Sequence, residues 1–319
     1  MPTRRTVLAS AIAFVATRAR AADYAQALAQ AYGGPVDVEE ANRLALVEAS
    51  RLLLRVAVLS RLEGVRGGNN GEGLRRLAAD PRWLYPDDDA GRARAVAEMN
   101  ARLAKLRPKL AKAFGDAAIP QPEVRRPARE NEAKGGYREP PVYYVDLRNI
   151  RARPAWTLPS VAFHETVPGH ALQAAVTGGQ PRPGSFSEAW AIYAEQLARD
   201  LGAYVGDARG EIGYLQWRLF RIARLMADIG QGAQGWSLDQ AVASMRNVQG
   251  FDAAFVTIEA DAARIRAQPG VYAAQALGAL AIAGARPSRR ERWPAFHRAI
   301  LADGPWPCSM LAAGTGAAR

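Results

Sequence analysis

Apolar positions divide the chain before any chemistry is considered. Between Val36 and Gly64, Leu44, Val47, Leu54, Val58 and Leu62 recur at helical spacing, with Glu39, Arg43, Arg51 and Arg55 among them. Gly67-Gly68-Asn69-Asn70-Gly71 interrupts the pattern, and a second helical stretch runs from Ala90 to Phe114, rich in Ala, Leu, Arg and Lys. Residues 119–141 change character: Pro120, Pro122, Pro127, Pro140 and Pro141 with Gly135-Gly136 predict an extended connection. Val142-Tyr143-Tyr144-Val145 then reads as a short strand. Helices return from Leu158 onward, and Ser237-Leu238-Asp239-Gln240 predicts a capping box at the start of one of them. No internal repeat is evident. The expected fold is mainly α, with a small extended or β element ahead of a histidine-bearing helix. Three regions follow: residues 1–21 as a leader, 22–118 as an N-terminal helical region, and 119–319 as a helical domain forming one compact unit with it.

The leader reads as an address. Thr3-Arg4-Arg5-Thr6-Val7-Leu8 is a twin-arginine start, an apolar stretch runs from Val7 to Ala16, and Ala19-Arg20-Ala21 fits small-residue cleavage. The apolar stretch is shorter than the roughly 20 residues a spanning helix needs. The expectation is export to the periplasm or beyond, with no stable membrane insertion once the leader is removed.

Composition narrows the class without naming it. Apolar residues are 49% and charged residues 23%, the balance of a globular chain, which excludes a disordered one. The single cysteine, Cys308, excludes a disulfide scaffold and any cysteine-based metal site. A net charge of +11 arises from 42 basic and 31 acidic side chains. The basic residues are almost all arginines, and no basic–aromatic interleaving points to nucleic acid as a partner.

Histidine carries the chemistry. There are three in the chain, and two of them fall in Phe163-His164-Glu165-Thr166-Val167-Pro168-Gly169-His170. A helical zinc motif, His-Glu-x-x-His, places its imidazoles four apart on one face, with the glutamate as base. Here the spacing is six, which on a regular helix leaves the side chains about 120° apart. Pro168 and Gly169 alter that geometry, because proline removes a helical hydrogen bond and glycine tolerates unusual dihedrals. The helix is expected to bulge or break at these two residues and return His170 to the position of an i+4 histidine. A catalytic zinc site needs a third protein ligand and an open position. Glu188 is the next acidic side chain, beyond Gly178-Gly179 and Pro181-x-Pro183-Gly184, in a helix that can turn back on the first. Glu195, seven residues on, shares its face and is placed to orient a ligand imidazole. Glu165 would take a proton from the attacking water and pass it to a departing amine, so an amide is the expected substrate. Trp190, Tyr193 and Trp217 at helical spacing read first as core; Tyr193 is also a candidate donor to an oxyanion. His297 has no comparable company and reads as structural or exposed.

From about Val142 to Val248 the chain resembles the catalytic half of a bacterial family known as domain of unknown function 885. The hallmark of that family is His-Glu-x-x-Pro-Gly-His, and it is grouped with the zincin metallopeptidases. The similar stretches are Tyr143-Tyr144-Val145, Leu158-Pro159, His164 to His170 with Leu172-Gln173, and Glu188-x-Trp190-Ala191-x-Tyr193-Ala194-Glu195. Arg224-Leu225, Asp228-x-Gly230 and Gly235-Trp236-Ser237-x-x-Gln240-Ala241 extend them. The resemblance implies a zincin-like helical metallopeptidase with zinc on His164, His170 and Glu188, Glu165 as base, and short peptides as substrates. It also implies contacts to substrate or ligands from Asp228, Arg264 and Tyr272. Two departures stand out. The family carries a histidine where this chain has Gly232, and an Arg-Tyr…Pro-Gly-Gln-Ala pattern survives only as Arg264-Ile265…Pro269-Gly270-Val271-Tyr272. They motivate an alternative, a member of the same family that binds metal or peptide with reduced or absent turnover.

Overall fold

A computed structural model describes residues 19–64, 71–179 and 184–301. Most of the leader, the Gly/Asn run at 65–70, the Pro-containing turn at 180–183 and the segment holding Cys308 lie outside the described residues. Helix α1 covers residues 19–32. It is followed by α2 (Val38–Leu62), α3 (Gly71–Ala78), α4 (Asp89–Leu106) and a single turn, α5 (Ala111–Phe114). Three short strands come next, β1 (Glu123–Arg125), β2 (Tyr137–Glu139) and β3 (Val142–Tyr144). The second half holds α6 (Leu158–Glu165), α7 (His170–Val176), α8 (Gly184–Asp200) and α9 (Ala208–Gly232). It closes with α10 (Leu238–Gln249), α11 (Ile258–Ala267), α12 (Val271–Ala285) and α13 (Trp293–Leu301).

The described residues are therefore mainly helical. The long stretch from Ala90 splits as its sequence dictates: Pro108 cannot donate to a helical ladder, and a 3₁₀ turn at Arg107–Lys109 separates α4 from α5. The capping box at α10 forms in full, with the Ser237 side chain accepting from the Gln240 N–H and the Gln240 side chain accepting from the Ser237 N–H. In the extended segment the strand expected near Val142 sits at the centre of a three-stranded sheet. It runs parallel to β1, with Val124 opposite Tyr143, and antiparallel to β2, with Arg138 opposite Tyr143. Asn100 on α4 pins the outer strand by bonding both the N–H and the C=O of Val124 at 2.9 Å.

Helix α9 is the spine. It is buried along almost all of its length and packs against α2, α10, α12 and α11, while α12 also packs on α8. One apolar core runs from Tyr24 on α1 to Leu301 on α13, so the N-terminal helices and the histidine-bearing segment share an interior.

The stripe that marks α2 as a helix faces outward. Leu54, Val58 and Leu62 are 63%, 46% and 74% exposed, whereas Ala41, Ala45, Ala49, Leu52, Val56 and Leu59 are buried against the core. The small alanines let α2 approach α9 closely, which selects the alanine-bearing face for the interior even though the other face carries larger apolar groups.

Candidate metal centre

The break predicted at Pro168-Gly169 separates α6 from α7. The Thr166 N–H still reaches back to the Ala162 carbonyl at 3.0 Å, but the Gly169 N–H goes six residues back to the Phe163 carbonyl, also at 3.0 Å. Ala171 then restarts the ladder on the Thr166 carbonyl. Only glycine fits at the tightest point: a Cβ on Gly169 would stand 1.9 Å from the His164 carbonyl oxygen. The indole N–H of Trp190 on α8 donates to the Pro168 carbonyl at 3.1 Å, tying the break to the helix that carries Glu188.

This arrangement brings the two histidine rings to 4.9 Å between centroids, nearly perpendicular. Glu188 lies one turn into α8, with one carboxylate oxygen 3.3 Å from His170 Nε2 and the other 3.7 Å from His164 Nε2. One ligand atom from each of His164, His170 and Glu188 can be chosen so that all three lie within 4.8 Å of one another. Two ligands on a tetrahedral zinc at about 2.0–2.2 Å stand roughly 3.4 Å apart, so the three groups fit such an ion with small rotamer adjustments.

The outer ring nitrogens fix which lone pairs face the centre. His164 Nδ1 donates to Glu195 at 2.9 Å, and the other Glu195 oxygen accepts from the Ser160 hydroxyl at 2.5 Å. His170 Nδ1 is 3.3 Å from Ser187 Oγ, which itself donates to Gln173 at 2.8 Å. With Nδ1 protonated in both rings, each Nε2 would offer its lone pair to a metal at the shared point. The charges agree. Burial pulls the His164 pKa down, but the Glu195 hydrogen bond and the Glu188 and Glu165 carboxylates outweigh it and raise it. His170, without a second carboxylate, is lowered by burial. Burial would push the Glu188 carboxyl up; the His170 hydrogen bond and the charges of His164 and Arg221 instead hold it well below the usual carboxylate range. Glu188 and Glu195 place negative charge beside the imidazoles.

The cluster opens into a cavity of about 660 Å³ lined by His164, Glu165, Glu188 and Glu195 and, from distant segments, by Tyr143, Arg221, Arg264 and Tyr272. Glu165 is ion-paired with Arg138 of β2. Arg264 and Tyr272 reach the cavity wall; Tyr193 and Asp228 do not line it. The Tyr193 hydroxyl donates to His297 Nε2 at 2.6 Å inside an aromatic cluster with Phe114 and Trp190, so the oxyanion role is removed by packing on the other side of α8. His297 is buried, its Nδ1 donating to the Ala113 carbonyl at 2.8 Å, and burial lowers its pKa to about 4. Asp228 accepts from the Gly270 and Ala273 N–H groups at 2.9 Å each and so caps the start of α12. Burial pushes its pKa up to about 6.

Several participants carry no signal in the sequence. Arg138 and Arg221 are two of many arginines, and only strand register and helix packing reveal that one pairs with Glu165 and the other faces the cavity. Ser160 and Ser187 belong to no motif of their own. At Gly232, Tyr24 of α1 occupies the space a side chain would need: a Cβ there would fall 2.0 Å from the tyrosine ring.

A family model for bacterial proteins of unknown function, DUF885, matches residues 5–314. The chain belongs to this family. No protein with a curated description matches it. Among solved structures, the DUF885 chain resembles a candidate lipoprotein from Colwellia psychrerythraea, at 27% identity and a TM-score of 0.81, over 93% of this chain and 55% of that one. It also shares its fold with a candidate lipoprotein of unknown function from Shewanella oneidensis, at 18% identity and a TM-score of 0.74, over 91% of this chain and 58% of that one. The chain thus spans a little over half the length of these two relatives. No helix among its described residues is long and apolar enough to cross a membrane.

Proposed function

We propose that this DUF885 chain is a zinc-dependent hydrolase of amide bonds in short peptides, of zincin-like type, exported by its twin-arginine leader. The observation that carries the reading is the convergence of His164, His170 and Glu188 at one point, with Glu195 bonded to the outer nitrogen of His164 and Glu165 beside the cluster at the cavity wall. Two histidines and a carboxylate are the donor set of a hydrolytic zinc site, and the cavity leaves room for a fourth position. Zinc held there supplies an acidified water and a polarised carbonyl. The chain's own residues do the rest. Glu165 accepts the proton of the attacking water at a carboxylate oxygen and returns it to the leaving amine. Arg138 holds Glu165 in place from β2, and Glu195 and Ser187 keep the two imidazoles in the required tautomer. Export is supported by Arg4-Arg5 and the short apolar run behind them, and the lipoprotein names of the two structural relatives agree with an envelope location.

A second reading, a metal- or peptide-binding member without turnover, is favoured by two observations. Tyr24 fills the space at Gly232, and Arg138 already occupies the Glu165 carboxylate. One comparison separates the readings: the zinc-loaded chain and Glu165→Gln are incubated with a library of short peptides and products followed by mass spectrometry. Hydrolysis by the first and a loss of at least about 100-fold in the second support the hydrolase. Equal cleavage by both excludes Glu165 as the base, and zinc binding with no cleavage by either supports the binding protein.

A further inference from the structure

Helix α9 brings to the cavity a charge that proton transfer at Glu165 does not use. Arg221 is nearly buried, with a side chain 12% exposed, and its Nη2 lies 3.9 Å from a Glu188 oxygen, beyond hydrogen-bond reach. It donates no hydrogen bond among the described residues, and its Nε is buried without an acceptor. Two neighbours differ. Arg224, one turn on, is bidentate to Asp261 at 2.7 Å for both bonds, and Arg148 at the cavity edge is bidentate to Asp146 at 3.0 Å. Arg264 also lines the cavity, from an exposed position on α11, with no ion pair among the described residues. A buried guanidinium N–H without an acceptor is costly, and an anion entering the cavity can relieve that cost with charge-assisted bonds. Burial lowers the Arg224 pKa and the charge of Arg221 lowers it further.

We propose that Arg221, backed by Arg264, receives the free C-terminal carboxylate of a short peptide, which makes this an exopeptidase site acting on the last peptide bond. The inference rests on the hydrolase reading and names its substrate class. The closeness of Arg221 to the shared point suits the terminal bond. Arg221 lies beside Glu188, one of the three groups around the shared point, and a terminal carboxylate stands about one residue, roughly 3.8 Å, from the bond that releases its amino acid. In the step itself, the oxygen of one water joins the carbonyl carbon of the penultimate residue and the C–N bond breaks. The proton taken by Glu165 leaves on the amine of the released amino acid.

The test uses Glu165→Gln protein loaded with zinc, titrated by calorimetry with N-acetyl-trialanine as the free acid and as its C-terminal amide. A third ligand is the same amide with an internal aspartate. The free acid is expected to bind at least about tenfold more tightly than either amide. In Arg221→Met/Glu165→Gln, checked for an unchanged melting temperature, the difference falls below about twofold. Equal binding of acid and plain amide, or no binding of either, overturns the proposal. So does an aspartyl amide that binds as tightly as the free acid, since any carboxylate would then serve. A zinc-dependent hydrolase that cleaves acid and amide at equal rates likewise removes the carboxylate subsite while leaving the hydrolase standing.

Discussion

At the scale of single residues, two histidines, both buried, end in opposite electrostatic states. His164 donates to Glu195, faces Glu188 and is pushed toward the charged form; His297, held by Tyr193 and the Ala113 carbonyl, is kept neutral. Glu195→Ala should leave the three ligands in place and weaken zinc binding about 10–100-fold, measured by chelator competition. His297 gives a pH signature of folding. Its pKa drops from an ordinary 6.5 to about 4 in the folded chain, so its contribution is complete above pH 6.5 and is lost as pH falls through about 4. Denaturant unfolding should therefore show the advantage of the native chain over His297→Gln shrinking from pH 7 to pH 4, by on the order of 3 kcal/mol. The raised pKa of Asp228 acts in the same comparison on both chains and cancels. The metal-centre residues were legible because their chemistry is local: His164, His170, Glu188 and Glu195 lie within 32 residues and differ from everything around them. Tyr193 was ambiguous because its spacing suits both a core position and the cavity, and only the packing of α13 decides it.

At the scale of elements, the break between α6 and α7 was legible and the orientation of α2 was not. Proline and glycine act through their own backbone, so Pro168-Gly169 states its effect without reference to the rest of the fold. The face of α2 that turns inward depends on α9, whose close approach admits alanine in preference to leucine. That difference is measurable. Leu52→Ala should cost about 2–5 kcal/mol in denaturant unfolding. Leu54→Ala, on the exposed stripe, should stay within about 0.5 kcal/mol. Equal costs would mean that α2 seats a different face on α9. The three-stranded sheet shows the same limit: Val142–Tyr144 was readable as a strand, while its partners at Glu123–Arg125 and Tyr137–Glu139 hide in a proline-rich segment with no alternation.

At the scale of the whole molecule, long-range packing assembles the cavity around a locally encoded centre. Tyr143 arrives from the sheet, Arg221 from α9, Arg264 from α11 and Tyr272 from α12, and no motif in one of them announces the others. Tyr24 on α1 packs at Gly232 near the end of α9, so the N-terminal helices contribute to the interior around the site and are not a separate layer. This packing converges two imidazoles and a carboxylate on one point, where the proposed hydrolase would hold a divalent ion. Zinc content by mass spectrometry of the purified chain, beside His164→Ala, His170→Ala and Glu188→Ala, tests it most directly. The expected result is one zinc per native chain and loss of at least about nine-tenths of it in each variant whose melting curve shows it folded. Stoichiometric zinc retained in all three variants, or a native chain that takes up none when zinc is supplied, would contradict it.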